Sequence, residues 1–357
     1  MINCRELAAA VCAYAEGRDT NLAPLWRAQS YRQTVGEPMT VRRAKALNAI
    51  LENCDLPVWP GELLVGLGNP TRLARAADVD RNELQAARAL CRGIGGRDFT
   101  THADHHAPDY PALVAAGFGG LAAAVDAQPS NPFLASVRVA LTGAAAFLRR
   151  WSERLRLAAS ESPAFRDLLV AQSARLKRLA AEPPECFVDA LQLVFSFHCM
   201  TQLDERGAMA FGRLDQFLLP FYRADIAAGR LTADRAQAVL DHFFAKITVD
   251  GDIQNIALGG VKPDDGTDAT NELSFLILEA CRRVGRPGGN CTARVHRRTP
   301  PAFLRKCGEV IRTGIGYPAV FNDDVQIPVL VDLGYSLEDA RDYCFVGCIE
   351  VFTPGKM

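Results

Sequence analysis

An α/β fold is predicted for this 357-residue chain by three observations. The first two-thirds carries apolar residues mostly at helical spacing. After about residue 250, short apolar runs alternate with amphipathic segments, the rhythm of strands and helices in α/β units. Glycine and proline stand between those runs, where the turns at strand ends should lie. The division implied is a mainly helical part over residues 1–250 and an α/β part over residues 251–357.

The elements follow in order. Residues 39–54 put Val41, Ala44, Leu47 and Leu51 on one stripe and Arg42, Arg43 and Lys45 off it, which predicts an amphipathic helix. Pro57 and Pro60-Gly61 end it, and residues 62–66 read as a short strand. Residues 131–160 are long and periodic, a helix packed along one side. Residues 183–200 open on a proline pair and are almost wholly apolar, a helix set deep in the core. Residues 231–247 form a helix with Thr232 as N-cap. In the second part, residues 253–260 read as a strand ending in Gly259-Gly260, and 267–284 as a helix capped by Asp268. A strand over 290–296 follows, then a helix over 301–314 closed by Gly314. A strand over 317–323, short helices over 325–334 and 336–343, and a strand over 344–347 complete the series.

Composition narrows the function. Lys and Arg number 40 against 41 Asp and Glu, a formal net charge of −1, so neither a nucleic-acid footprint nor attraction to an anionic membrane is expected. The first residues lack a signal-peptide pattern, and no stretch is apolar for ~20 residues. The location expected is cytoplasmic. The eleven cysteines include no close CxxC pair, so no metal site is read. Most should be reduced, buried and structural. Cys344 and Cys348 read as one core cysteine beside one of special role, a disulfide between them being the other possibility.

The candidate chemistry sits in Gly347-Cys348-Ile349-Glu350, after the apolar pair Phe345-Val346. In an extended segment, residues i and i+2 point to the same side. Cys348 and Glu350 would then share a face, with Ile349 turned into the wall and Gly347 permitting a sharp exit from the strand. Such a pair can place a thiol and an acid/base group on one small substrate. A buried cysteine followed by a surface glutamate is the structural alternative.

Longer blocks resolve that ambiguity. Residues 31–54 with 61–66, the block from His105 through Pro108-Asp109-Tyr110, and the Gly212-Arg213-x-Asp215-Gln216 segment occur in order. Residues 253–280 and 320–350 add two longer blocks. Together they resemble the glycyl radical enzymes, the pyruvate formate-lyase-like family. The resemblance implies a helix-wrapped partial barrel, half of a ten-stranded α/β barrel built from two five-stranded halves, with the cysteine loop inside. It implies that Cys348 becomes a thiyl radical that abstracts hydrogen from substrate, with Glu350 as general base. It places His105, Asp109, Ile253 and Asn322 at the substrate. No cofactor is bound directly. The oxidising equivalent is a glycyl radical installed by a radical S-adenosylmethionine iron–sulfur activase.

Departures from the family pattern refine this. The Arg-Val-x-Gly-Tyr-like segment that carries the radical glycine is not found; "TARVHRRT" shares only Arg294-Val295 and precedes the loop. The chain thus resembles the N-terminal part through the cysteine loop, lacking the C-terminal glycyl radical domain. A complementary C-terminal domain or chain, the activating enzyme and a small-molecule substrate are the partners implied, in a family often homodimeric. Ile349 follows Cys348, so acyl transfer to an adjacent thiol is not supported, and a lyase, dehydratase or decarboxylase type is expected. Gly207 and Ala208 stand where glycerol dehydratases carry a His-Ser pair, and Ile253 where they carry a tyrosine, so a glycerol-like diol is disfavoured. Asp109 also reads as a helix cap, His105 as a possible cap, His198 as a core histidine, and Arg294 as either structural or functional. The reading is the N-terminal catalytic half of a lyase-type glycyl radical enzyme; the alternative is a non-catalytic remnant or binding module that keeps the fold.

Overall fold

The computed structural model describes residues 2–67, 74–95, 105–247, 253–286 and 288–356. The boundary expected near residue 250 lies outside them.

Among the described residues, eight α-helices lead the chain: α1 (Cys4–Ala15), α2 (Ala23–Gln33), α3 (Met39–Asn53), α4 (Arg81–Gly95), α5 (Tyr110–Asp126), α6 (Pro132–Glu161), α7 (Arg166–Leu179) and α8 (Phe187–Leu203). Their starts follow from local chemistry. Asn3 and Glu6 form a capping box on α1, and Asn131 caps α6 just before Pro132. α6 packs on α3 and α7 through Ala144, Phe147, Leu148, Trp151 and Leu155. Among the described residues α6 is the one helix long and apolar enough by length and composition to cross a membrane, yet arginines interrupt it and its Ala144, Phe147, Leu148 and Trp151 lie in the core. α8 is buried almost throughout, as its unbroken apolar run predicts.

Residues 62–66 are not a strand. The segment is buried and bends at Leu63-Leu64, and its backbone is bonded by distant side chains rather than a neighbouring strand. Leu63 N–H donates to His242 Nδ1 at 3.0 Å. Val65 exchanges two 2.8 Å bonds with the Gln192 amide. Gln172 Nε2 donates to Glu62 O, and Lys246 Nζ to Gly66 O. Buried backbone groups need partners, and side chains satisfy that need as well as a ladder does.

The sheet comes next. Strand β1 (Ala210–Gly212) is followed by α9 (Leu214–Phe217), α10 (Leu219–Ala227) and α11 (Ala233–Ile247), the last capped by Thr232 as expected. Then β2 (Gln254–Gly259), α12 (Glu272–Val284), β3 (Gly289–Val295), α13 (Pro301–Ile311) and β4 (Ala319–Asn322) alternate. The four strands form a parallel sheet in the order β1-β2-β3-β4. β1, missed in the sequence, is only three residues long. It comes from the helical part, so both parts share one sheet. Asp268 does not cap α12; Asn271 does, in a capping box with Ser274, while Asp268 pairs with His296 at 2.9 Å.

The two faces of the sheet differ. Ile256, Leu258, Cys291 and Ala293 join the main core beneath the helices. The alternate residues are small or polar. Ala210 and Ala257 belong to a separate small cluster on the other face, and Asn255, Thr292 and Arg294 bond toward that side. That face receives the last elements: α14 (Asp323–Asp332), α15 (Leu337–Arg341), and the strands β5 (Cys344–Val346) and β6 (Glu350–Phe352).

Candidate active site

β5 and β6 pair antiparallel, Cys344 opposite Phe352 and Val346 opposite Glu350, so residues 347–349 are the turn of a hairpin. The expected strand over 344–347 is there, but the extended run through Glu350 is not. Cys348 lies in the turn and Glu350 opens the return strand. Ile349, expected in the wall, is 60% exposed. The hairpin lies on the small-residue face of the sheet. Cys344 and Val346 pack with Ala107, Ala210, Ala257 and Phe352, whose alanines allow the close approach. Phe345 points the other way, 4.1 Å from the Phe321 ring and 5.4 Å from that of Tyr343.

Two buried arginines clamp the hairpin's base. Arg294 forks onto Asp323, Nε to Oδ1 at 3.0 Å and Nη2 to Oδ2 at 2.9 Å. It also donates to the carbonyls of Tyr343 and Arg341 and lies 3.8 Å from the Tyr343 ring centre. Burial opposes its charge, yet Asp323 beside it raises its pKa above the ordinary value. Tyr343 O–H closes the loop by donating to Asp323 Oδ1 at 2.6 Å. Arg213 donates to Gly259 O, Val261 O, Arg341 O and Asp342 Oδ1. The strand ends of β2 and β3 are thereby tied to the residues that begin the hairpin. Gly260 makes room for this: a Cβ there would lie 2.7 Å from Asp323 Oδ2 and 2.8 Å from Arg294 Nε. Of the two readings of Arg294, the structural one is what the geometry supports.

The tip is held separately. Gly347 N–H donates to Ala208 O at 2.9 Å, and Gly347 O accepts from Asn255 Nδ2. Gly347 has φ +53°, and a Cβ there would lie 2.0 Å from His105 Cδ2 and 2.7 Å from Glu350 Oε2. The His105 ring is therefore packed against the turn, with its Nε2 3.9 Å from Glu350 Oε2. Ile349 N–H donates to the same Glu350 oxygen at 3.1 Å. Slight burial opposes the Glu350 charge, but the backbone N–H groups of the turn and His105 outweigh it and lower its pKa. The turn thus favours the charged form of the carboxylate. None of the eleven cysteines is in a disulfide, and Cys348 alone of them is exposed; Cys344 is fully buried, its thiol pushed up to about 12 by burial.

The structure brings three expected residues together: Cys348, Glu350 and His105. Asp109 caps α5, accepting from Ala112 N–H at 2.9 Å. Ile253 is half-buried just before β2. Asn322 caps α14, accepting from Asp324 N–H at 2.9 Å. It stands opposite Val295 in the sheet, at the hairpin's base end, whereas Asn255 touches the tip. Asn255 and the residue level of Asn322 are five positions apart along the sheet, on the order of 16 Å. The structure therefore does not gather Asn322 with the thiol. His198 is a core histidine as expected, 4.4 Å from the Phe211 ring and pushed down to about 3 by burial, against a weaker pull from Gln254. Sequence reasoning missed Asn255, Arg213 and Asp323 as parts of the site. The Gly-Arg-x-Asp-Gln block marked Arg213, but only as a resemblance.

Comparisons with known proteins bear on the family and the fold. A family model described as Pyruvate formate lyase-like matches residues 81–357. The chain is 32% identical over 286 residues to the protein named Probable dehydratase YbiW from Escherichia coli (strain K12), covering 71% of this chain and 35% of that protein. It is 27% identical over 316 residues to (2S)-3-sulfopropanediol dehydratase from Klebsiella oxytoca, covering 78% and 38%. The glycerol-bound B12-independent glycerol dehydratase from Clostridium butyricum shares the fold with a TM-score of 0.85 at 23% identity, over 98% of this chain and 55% of that one. A glycyl radical enzyme from Archaeoglobus fulgidus does so with 0.85 at 23%, over 99% and 55%. The chain spans little more than a third of the curated relatives and about half of these solved chains. The fold is a helix-wrapped partial barrel, as the sequence implied.

Proposed function

This chain belongs to the pyruvate formate lyase-like family of glycyl radical enzymes, and from that premise we propose that Cys348 is the residue that abstracts hydrogen from a small substrate in a lyase-type reaction. Enzymes of this family use a glycyl radical rather than a bound cofactor. It supplies one oxidising equivalent, which reaches a thiol as the loss of a hydrogen atom. The residues here do the rest. Cys348, in the turn of the hairpin, is exposed, whereas the other cysteines are partly or fully buried. Glu350, ionised, takes a proton from the substrate carbon's neighbouring acidic group. His105 Nε2, 3.9 Å away, is placed to share that proton or its charge. Asp109, which also caps α5, and Ile253 are proposed as more distant contacts to substrate, whereas Asn322, about 16 Å along the sheet from the turn's anchor, is left as the cap of α14. Ile349 in place of a second thiol argues for elimination or decarboxylation rather than acyl transfer.

One observation carries the reading. The single exposed cysteine sits on a hairpin clamped at both ends, beside an ionised carboxylate and a histidine. A radical site must also be closed from water and oxygen. Because Cys348 and Glu350 are exposed, the reading requires a covering partner. We propose a complementary glycyl radical domain or chain, charged by a radical S-adenosylmethionine activase in the cytoplasm. The exposure of the turn also favours a second reading, a fold-retaining module that binds without radical chemistry.

The test is reconstitution under anoxic conditions with such a partner and its activase. Cys348→Ser should leave the glycyl radical doublet in the electron paramagnetic resonance spectrum but abolish product. Glu350→Gln should slow turnover by about a hundredfold or more, the usual worth of a general base. Wild-type product from Cys348→Ser would remove the thiyl assignment. Failure of any partner to gain activity from this chain would favour the binding module.

A further inference from the structure

We infer that Asn255 and Thr292 form a side-chain latch that positions the cysteine turn on the sheet. Both residues are buried, 2% and 3% exposed, on the face of β2 and β3 that carries the hairpin. Asn255 Nδ2 donates to Gly347 O at 2.5 Å, and Asn255 Oδ1 accepts from Thr292 Oγ1 at 3.1 Å. A carbonyl can only accept, so the amide nitrogen must face Gly347 and the amide oxygen must face away. The Gly347 carbonyl sets that orientation, and the Thr292 hydroxyl donates to the amide oxygen turned away from it. A flipped amide would set oxygen against oxygen at Gly347.

The latch acts on the residue next to the thiol. Gly347 N–H is held by Ala208 O and Gly347 O by Asn255, so both polar backbone groups before Cys348 are fixed. One anchor is a loop carbonyl. The other is a side chain seated in the middle of a parallel sheet, where Asn255 pairs with Asn290 and Thr292 with Ala257. Strand interiors are the stiffest part of such a fold, so a turn fastened there inherits their precision. A hydrogen-atom transfer needs donor and acceptor in near-contact, and misplacement by about 1 Å can cost on the order of a hundredfold in rate. Asn255 is thus a positioning residue acting through Gly347. Its functional meaning rests on the reading of Cys348 given above; its geometry does not.

The experiment uses the purified 357-residue chain and needs no radical. Amide hydrogen exchange is followed in the peptide covering residues 344–352, and iodoacetamide labelling of Cys348 is followed by mass spectrometry. Asn255→Asp removes the donor with little change of shape, Thr292→Val removes the hydroxyl, and Thr292→Ser restores it. Asn255→Asp should speed exchange in that peptide about tenfold or more, the scale of one lost buried hydrogen bond. Labelling of Cys348 should rise with it, while Cys199 and Cys344 stay unlabelled. Thr292→Val should give the same local pattern more weakly, and Thr292→Ser should resemble the wild type. Exchange within twofold of wild type in both Asn255→Asp and Thr292→Val would overturn the latch. So would acceleration spread through the sheet and shared by Thr292→Ser, which would mark general packing. Should Asn255→Asp fail to fold, the two Thr292 variants decide alone. An active Cys348→Ser enzyme would refute the radical reading and leave these outcomes untouched.

Discussion

Gly347 is where the chemistry of one residue controls the site. It is buried with φ +53°, and a Cβ would collide with the His105 ring and crowd Glu350 Oε2. Left-handed backbone costs an L-residue about 1–2 kcal/mol, and overpacking adds about 1–3 kcal/mol. Gly347→Ala should therefore destabilise the chain by roughly 2–5 kcal/mol in urea denaturation, or move His105 away from Glu350. A change within about 0.5 kcal/mol, the range of an inert surface substitution, together with an undisturbed histidine, would show that the turn can repack freely. Gly347 was legible in the sequence as a turn, but the local Gly-Cys-x-Glu signal left a structural alternative open, and Cys348 and Glu350 were singled out by the longer family blocks. Asn255 was not. A polar residue in a strand reads only as a break in apolar character, and its role depends on a turn 92 positions away. The orientation of Ile349 was misjudged for a related reason. Period-two alternation holds only along an extended chain, and here the chain bends at that point to begin β6.

Among the elements, the order of strands and helices after residue 253 was legible because glycine, proline and caps punctuate short apolar runs. Two strands were not. β1 and β6 are three residues each, too short to show a period, and exist because β2 and β5 pair with them. Residues 62–66 failed the other way: their composition suits a strand, but Gln192, His242, Gln172 and Lys246 take the backbone groups a neighbouring strand would. The element that matters most, the hairpin, depends on the clamp at its base. Arg294 spends its fork on Asp323 and its remaining donors on two carbonyls of the segment leading into β5. Lysine keeps the charge but cannot reproduce that planar geometry. Arg294→Lys should cost about 3 kcal/mol or more, as breaking a buried pair does, and should loosen residues 341–346 in hydrogen exchange before the helices. A loss below about 1 kcal/mol, the worth of a surface pair, would mean that Arg213 holds the hairpin unaided.

Across the whole molecule, the sheet is covered unevenly. β2 and β3 are buried on both faces, as parallel strands require, but among the described residues β4 pairs only with β3. Beside that edge lie exposed apolar residues: Val320 on β4, Val325 and Val329 one turn apart on α14, and Leu333 at its C-cap, each about half exposed or more. An unpaired strand edge templates pairing with another chain, and a contiguous apolar patch marks an interface or an aggregation site. At about 25 cal/mol per Å², covering several hundred Å² would be worth on the order of 10 kcal/mol, as much as the net stability of a typical domain. The 357-residue chain should therefore self-associate, or bind a complementary chain, at micromolar concentration. Sedimentation velocity across a concentration series should show a rising mean mass. Leu333→Lys and Val325→Glu, which place charges among these residues without touching the core, should return the chain toward the monomer. A single monomeric species at every concentration, with a sharp cooperative melt, would show that this face is stable in water. The requirement for a covering partner would then rest on the exposed turn alone, and the binding-module reading would gain.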